Sequence, residues 1–274
     1  MKIRARDITA WVGGLIVALF VIVALAHHWL EPYSPTAENL SAALLPPGPG
    51  HPLGTDPLGR DILSRLIAAT AVDLWITGAG MLAALAIAIP VGLLAGHRGG
   101  RADALITAAS DGVLTFPTIV LGIAIVSLLG MGETSLIVAV ALTTAPQLVR
   151  IIRGLAIALR GAPFVESARA AGSGEIRILA LHVFPNVIGS TLVAASLLAS
   201  QAVLIAAALG FLGLGVRPPA PEWGTMLSDS RSYLTTDPAL MVLPGACIAL
   251  FVLGLNMLGD GLRDALDPKL RGRV

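Results

Sequence analysis

The chain has 274 residues, 55% of them hydrophobic and only 13% charged, with a mean hydropathy of +0.84. A soluble domain carries about 25% charged residues, so there is too little polar surface here for an ordinary soluble enzyme. The composition also excludes a disordered chain and, with Cys247 as the one cysteine, a disulfide scaffold.

A membrane-crossing helix needs about 20 largely apolar residues. Six stretches qualify or come close, at about 8–30, 74–96, 112–132, 134–153, 187–210 and 238–259. Lys2, Arg4 and Arg6 precede the first, which runs to Ala24-Leu25-Ala26 and so has the look of a secretory signal. Its uncharged run is longer than a signal core, and it is read as a retained span. Four of the later spans carry an internal proline, Pro90, Pro117, Pro146 and Pro244, tolerated where neighbours or water satisfy the freed carbonyl.

The loops follow in order. Residues 31–73 lead through Pro46-Pro-Gly-Pro-Gly50 to Leu53-Gly-Thr-Asp-Pro-Leu-Gly-Arg-Asp61. Asp56 before Pro57 reads as the N-cap of a short outer amphipathic helix over about 57–67. Leu58, Ile62 and Leu66 would share one face, and Asp61 and Arg65 would pair across the other. Residues 97–111 form a short basic loop, and 132–134 a tight turn. Residues 217–237 hold Glu222-Trp223-Gly224, with the tryptophan suited to an interfacial aromatic belt.

Charge placement predicts the orientation. With the N-terminus cytoplasmic, Lys2, Arg4, Arg6, Arg98, Arg101, Arg150, Arg153, Arg160, Arg169, Arg177, Arg263, Lys269, Arg271 and Arg273 fall inside. Only Arg60, Arg65, Arg217 and Arg231 fall outside. Fourteen against four predicts both termini cytoplasmic and an even number of spans.

Residues 160–186 are long enough to hold structure. Pro163 fits the first turn of a helix and Gly172 its stop. Ser173 reads as the cap of a second helix, with Glu175 in its first turn and Pro185 at its end. The result is two short helices, a rigid knob between two spans.

There is no P-loop, no G-x-G-x-x-G, no H-E-x-x-H and no C-x-x-C. His27-His28 is not read as a metal site, because adjacent residues point to different sides of a helix. No catalytic residue, bound cofactor or metal is predicted, and no nucleic-acid partner. Polar residues within the spans are candidates for lining a path: Thr144, Gln147, Ser196, Ser200, Gln201 and Asn256. Ser196 and Ser200 have the spacing of small residues at helix contacts. No acidic or basic residue lies deep in any predicted span, which argues against a proton-coupled carrier. It leaves the energy to come from outside the chain.

Glu166-Ser-Ala168, then Gly172, then His182-Val-Phe-Pro185 resembles the E-A-A…G…(x)LP loop of permease subunits of ABC-type importers. It departs from that pattern at Ser167, His182 and Phe184. The Gly54-Thr-Asp-Pro-Leu-Gly-Arg-Asp61 and Glu222-Trp-Gly224 segments resemble the dipeptide/oligopeptide/nickel branch, in its second, C-type permease. The resemblance runs over nearly the whole chain. It implies an all-α, six-span permease of the type I importer (MetI-like) fold in a bacterial inner membrane. It also implies a homologous permease partner, two ATPase subunits that bind ATP and Mg, and an extracytoplasmic solute-binding protein. Glu166, Ser167, Ala168, Gly172 and Pro185 would then belong to the ATPase-coupling loop. Gly54, Thr55, Asp56, Gly59, Arg60 and Asp61 would form the outer motif. Peptides are the expected cargo, with nickel the alternative.

Overall fold

The computed structural model describes residues 5–266, with side chains from 9 to 265. Its helices are α1 (Ala5–Leu30), α2 (Ile62–Arg98), α3 (Gly100–Leu114), α4 (Thr118–Leu129) and α5 (Glu133–Leu159), then α6 (Pro163–Ala170), α7 (Glu175–Ile178), α8 (Phe184–Leu209), α9 (Trp223–Asp229) and α10 (Ala239–Leu266). No strand occurs among the described residues; a single bridge joins Thr55 and Asp61. Five helical segments are long and apolar enough to cross a membrane: Thr9–Leu30, Ile62–Arg98, Glu133–Leu159, Glu175–Leu214 and Ala239–Ala265. A sixth crossing exists only as the pair α3 and α4, bent by 90°.

Two elements differ from the sequence reading. The helix expected at 112–132 breaks at Phe116-Pro117. Proline lacks an N–H and disfavours helical geometry in the residue before it. What remains as α4 is 12 residues, about 18 Å, well short of a hydrocarbon core of about 30 Å. The second span begins at Ile62 rather than 74, so α2 has 37 residues and a length of about 55 Å. The expected outer helix over 57–67 does not form as a separate element. Its C-terminal half is the start of α2, and its N-terminal half is a turn.

The bundle centres on α2 against α5, with α8 alongside. Membrane helices gain little hydrophobic drive from pairing in lipid, so close backbone approach carries the association. Gly80, Gly92 and Gly96 provide it: a Cβ on Gly92 would lie 2.8 Å from Ile152 Cβ. On Gly96 it would lie 2.5 Å from the Arg153 carbonyl and 2.6 Å from Ala156 Cβ. On the other side α1 lies along α10, with Gly13 pressed to the Leu258 amide and Gly254 to Ile16.

A second core sits under α9. Trp223 is fully buried there, edge-on to Phe20 of α1 at 5.8 Å and near Phe251 of α10 at 6.0 Å. It is therefore a core residue, not a member of an interfacial belt. The chain enters α9 through Glu222, whose side chain accepts from the Gly224 N–H at 2.7 Å and the Thr225 N–H at 2.9 Å. Beside it, Asp73 accepts from the Trp223 N–H at 3.0 Å. Both carboxyls are buried, and Asp73 Oδ1 has no hydrogen-bond partner among the described residues. Burial pushes the Glu222 carboxyl up to about 7, against the pull of the Gly224 and Thr225 amides. The expectation that no acidic residue lies deep in a span fails at Asp73, the twelfth residue of α2.

Two predictions follow from this packing. Gly96→Leu should destabilise the chain by about 2 kcal/mol or more, seen as a lower unfolding temperature in detergent. Gly78 has nothing within 4 Å of its Cβ position, so Gly78→Leu should change stability by less than about 0.5 kcal/mol. The carboxyl pair predicts pH dependence. An acid raised from 4.5 to about 7 adds stability that is full below pH ~4.5 and is lost as pH rises through ~7. Asp73→Asn keeps an acceptor for the Trp223 N–H and supplies a permanent donor to Glu222. The variant should lose the wild-type fall in unfolding temperature between pH 5 and 8, and exceed wild type at pH 8.

Candidate functional site

Two built elements sit at opposite ends of α2. At its C-terminal end is the knob. Ala162 is extended, at φ −67° and ψ 141°, and Pro163 starts α6. The helix closes with the Gly172 N–H donating to the Arg169 carbonyl and the Ser173 N–H to the Ala168 carbonyl, both at 3.0 Å. This is a Schellman end, and Gly172 takes its left-handed position at φ +81°. Val165, Ile178 and Val183 are fully buried and root the knob in the bundle. Glu175 ties it to α2 through a hydrogen bond to buried His97, and within the knob to Arg169 at 3.3 Å.

The second half of the knob departs from the sequence reading. Gly174, not Ser173, occupies the cap position of α7, with no side-chain cap. Pro185 does not end that helix. A wider π-helical turn, Leu179–Val183, carries α7 directly into α8, and Pro185 falls in the first turn of α8. Glu166 and Ser167 are exposed, Ala168 is half-buried, and the Ser167 hydroxyl donates back to Pro163. Phe164 and Ile176 expose 40% and 83% of their surfaces, so the knob's free face combines apolar contacts with the Glu166 charge. Arg153 braces the same end by pairing with Asp103 of α3, with Nη2 to Oδ2 at 2.8 Å.

At the N-terminal end of α2 the outer motif folds as a plug. Gly54, Thr55, Asp56, Gly59, Arg60 and Asp61 are all buried. Asp56 is not a helix cap. Its Oδ1 accepts from the Leu58 and Arg60 amides at 2.9 and 3.0 Å, and its Oδ2 pairs with Arg60 at 2.6 Å and Arg65 at 3.4 Å. The helix expected from Pro57 cannot form because Gly59 sits at φ +71°, with the Asn39 carbonyl where a Cβ would be. Asp61 is the true cap of α2, accepting from the Ser64 amide at 2.8 Å. It pairs with His51 at 2.9 Å rather than with Arg65.

The candidate path residues do not converge. Thr144 and Ser200 are buried, Gln147, Ser196 and Asn256 are half-buried, and Gln201 is exposed. Ser196 packs against Gly259 of α10, and the Ser196 and Ser200 hydroxyls satisfy carbonyls of their own helix. A cavity of about 390 Å³ opens instead at the α3–α4 bend, lined by Ile87, Val91, Ile106, Val113, Leu121 and Pro146 among others, and by none of the six candidates. Asp73 and His97 were not singled out from the sequence. A lone acid at position 73 interrupting the apolar run of 62–96 is the signal that could have found the first.

Comparison with known proteins places these elements. Residues 88–272 match the family described as binding-protein-dependent transport system inner membrane component, and residues 5–47 match the N-terminal TM domain of oligopeptide transport permease C. The nickel transport system permease protein NikC of Escherichia coli K12 is 43% identical, over 93% of this chain and 92% of that one. The di/tripeptide transport system permease protein DppC of Pseudomonas aeruginosa is 42% identical, over 94% and 88%. Structures of the inward-facing MetNI methionine ABC transporter share the fold, with a TM-score of 0.60 at 21% identity over 74% of this chain and 96% of that chain. The chain therefore belongs to the binding-protein-dependent inner-membrane permeases of ABC importers, in the peptide and nickel family, and is a multi-pass membrane subunit rather than an enzyme.

Proposed function

We propose that the chain forms half of the translocation path of an ATP-driven importer, coupled to cytoplasmic ATPase subunits through the knob of Glu166–Gly172. The observation that carries this reading is the knob itself. It is held by buried Val165, Ile178 and Val183 and by the Glu175–His97 bond, while Glu166 and Phe164 remain free. A rigid projection with an unpartnered face suits reception of force from another subunit. The partners are a second homologous permease, two ATPases holding ATP and Mg, and an extracytoplasmic solute-binding protein.

The orientation places both termini and the knob in the cytoplasm. Arg98, Arg101, Arg153, Arg160, Arg169 and Arg177 gather at the knob end of α2, whereas Arg60 and Arg65 lie at the plug. Lys2, Arg4, Lys269, Arg271 and Arg273, also counted as inside, lie outside the described residues. Di- or oligopeptides are the proposed cargo, supported by similarity to DppC. The 43% identity to NikC favours nickel as a second reading.

The test uses the assembled complex in proteoliposomes. Gly172 sits at φ +81° with open space around it, so a β-branched residue disturbs the helix end without filling the core. Gly172→Val should reduce both uptake and binding-protein-stimulated ATP hydrolysis by about ten-fold or more, with assembly intact. Unchanged coupling would reject the knob's role. Supplying labelled dipeptide and labelled nickel in separate reactions decides the cargo.

A further inference from the structure

The last turn of α1 carries His27 and His28, and Glu31 follows one residue past its end. Successive positions on a helix are about 100° apart, so the two imidazoles should diverge. They do not. Their ring centroids lie 3.8 Å apart with a tilt of 37°. Glu31 returns to the same spot, with Oε1 2.7 Å from His27 Nδ1. One ligand atom from each of the three residues lies within 4.8 Å of the other two.

That spacing is close to what a metal ion requires. Imidazole nitrogen and carboxylate oxygen bind a first-row divalent ion at about 2.0–2.2 Å, which puts neighbouring donors about 3–3.5 Å apart. The side chains of His27 and Glu31 are only 24% and 11% exposed, so two of the donors are held. His28 is exposed, and its ring can turn the remaining distance. The electrostatics point the same way. The C-terminal end of a helix favours cations, and no lysine or arginine occurs in the sequence between Arg6 and Arg60. The donor chemistry, two imidazoles and one carboxylate, suits Zn²⁺, Ni²⁺ or Cu²⁺ rather than Mg²⁺ or Ca²⁺.

We propose that His27, His28 and Glu31 form a binding site for one divalent transition-metal ion. His28 is the exposed member of the three, so the remaining coordination positions are open on its side to water or to a ligand from outside the chain. The site lies at the plug end of the molecule. The Tyr33 amide donates to Ser64 Oγ in the first turn of α2 at 3.0 Å, which fixes the segment just past Glu31 there. The site requires no assumption about the cargo.

The test is a metal titration of the assembled complex in nanodiscs after chelator treatment, with NiCl₂ and ZnCl₂ as probes. The His27→Ala/His28→Ala double variant gives the background from every other site in the complex. Wild type should bind one ion more per permease chain than the double variant, with a dissociation constant in the micromolar range. His28→Ala should weaken that extra ion at least ten-fold without changing the unfolding temperature, because the ring is exposed. Glu31→Gln should weaken it less. X-ray absorption of the nickel-loaded complex should show two imidazole ligands. The assignment is overturned if wild type and the double variant take up the same number of ions with the same affinity. It is equally overturned if MgCl₂ competes at equal concentration, since that would make the ligand set a carboxylate one.

Discussion

The junction of α2 with α9 depends on two buried carboxyl groups, Asp73 and Glu222. A buried carboxylate is costly unless hydrogen bonds satisfy it. Each also holds a backbone amide that opens α9: Asp73 takes the Trp223 N–H, and Glu222 those of Gly224 and Thr225. The consequences spread outward. Glu222 lies so close to Gly210 that a Cβ there would strike its Oε2, and 2.7 Å from where a Cβ on Gly215 would be. The turn out of α8 can therefore pass this point only as glycine. Trp223, once fixed, supplies the ring against which Phe20 and Phe251 pack. The two carboxyls thus link α2, α8 and α9, and through Trp223 they position α1 and α10.

Helix α2 turns these local joints into a device that reaches from end to end. It is capped at one end by Asp61, which also holds His51. At the other end His97 holds Glu175 of the knob. Between them lie about 55 Å of helix seated against α5 through Gly80, Gly92 and Gly96. Contacts this close resist sliding, because any shift drives backbone into side chain. If the knob is driven as proposed, α2 would pass its displacement to α5 and to the plug. The weak points lie elsewhere, at the 90° break before α4 and at the π-helical turns flanking α8. Those are the places where regular α-helical geometry is interrupted, whereas α2 runs unbroken through Pro90.

Much of this was legible in the sequence where the cause is local. The apolar runs mark the long helices, and Pro163 and Gly172 mark the ends of α6, because proline and glycine act through their own dihedral angles. What escaped depends on distant partners. The plug reads as an amphipathic helix until Asn39 arrives opposite Gly59, and Asp56 reads as a cap until Arg60 and Arg65 claim its carboxylate. Asp73 reads as the end of a loop because an acid normally stops a span. Its partner, Glu222, is about 150 residues away in the chain. Trp223 was assigned to the membrane surface on its amphipathic character, yet Asp73 receives its backbone amide and its ring is buried. Pro117 reads as an internal proline that a span tolerates; with Phe116 before it, the helix breaks outright.

The distribution of charge explains why such a chain needs partners. Among the described residues, ion pairs cluster at the two ends of α2: Asp56 with Arg60 and Arg65 at one, Asp103 with Arg153 and Glu175 with His97 at the other. The carboxyl pair is engaged by three backbone amides. The central contacts are glycine, alanine and branched aliphatic side chains. Such a core, among the described residues, offers no ion pair whose making or breaking could power a change of state. The energy difference between states must then enter at an end. The knob is the end with exposed apolar and acidic groups on a rigid mount, tied to α2 through the Glu175–His97 bond.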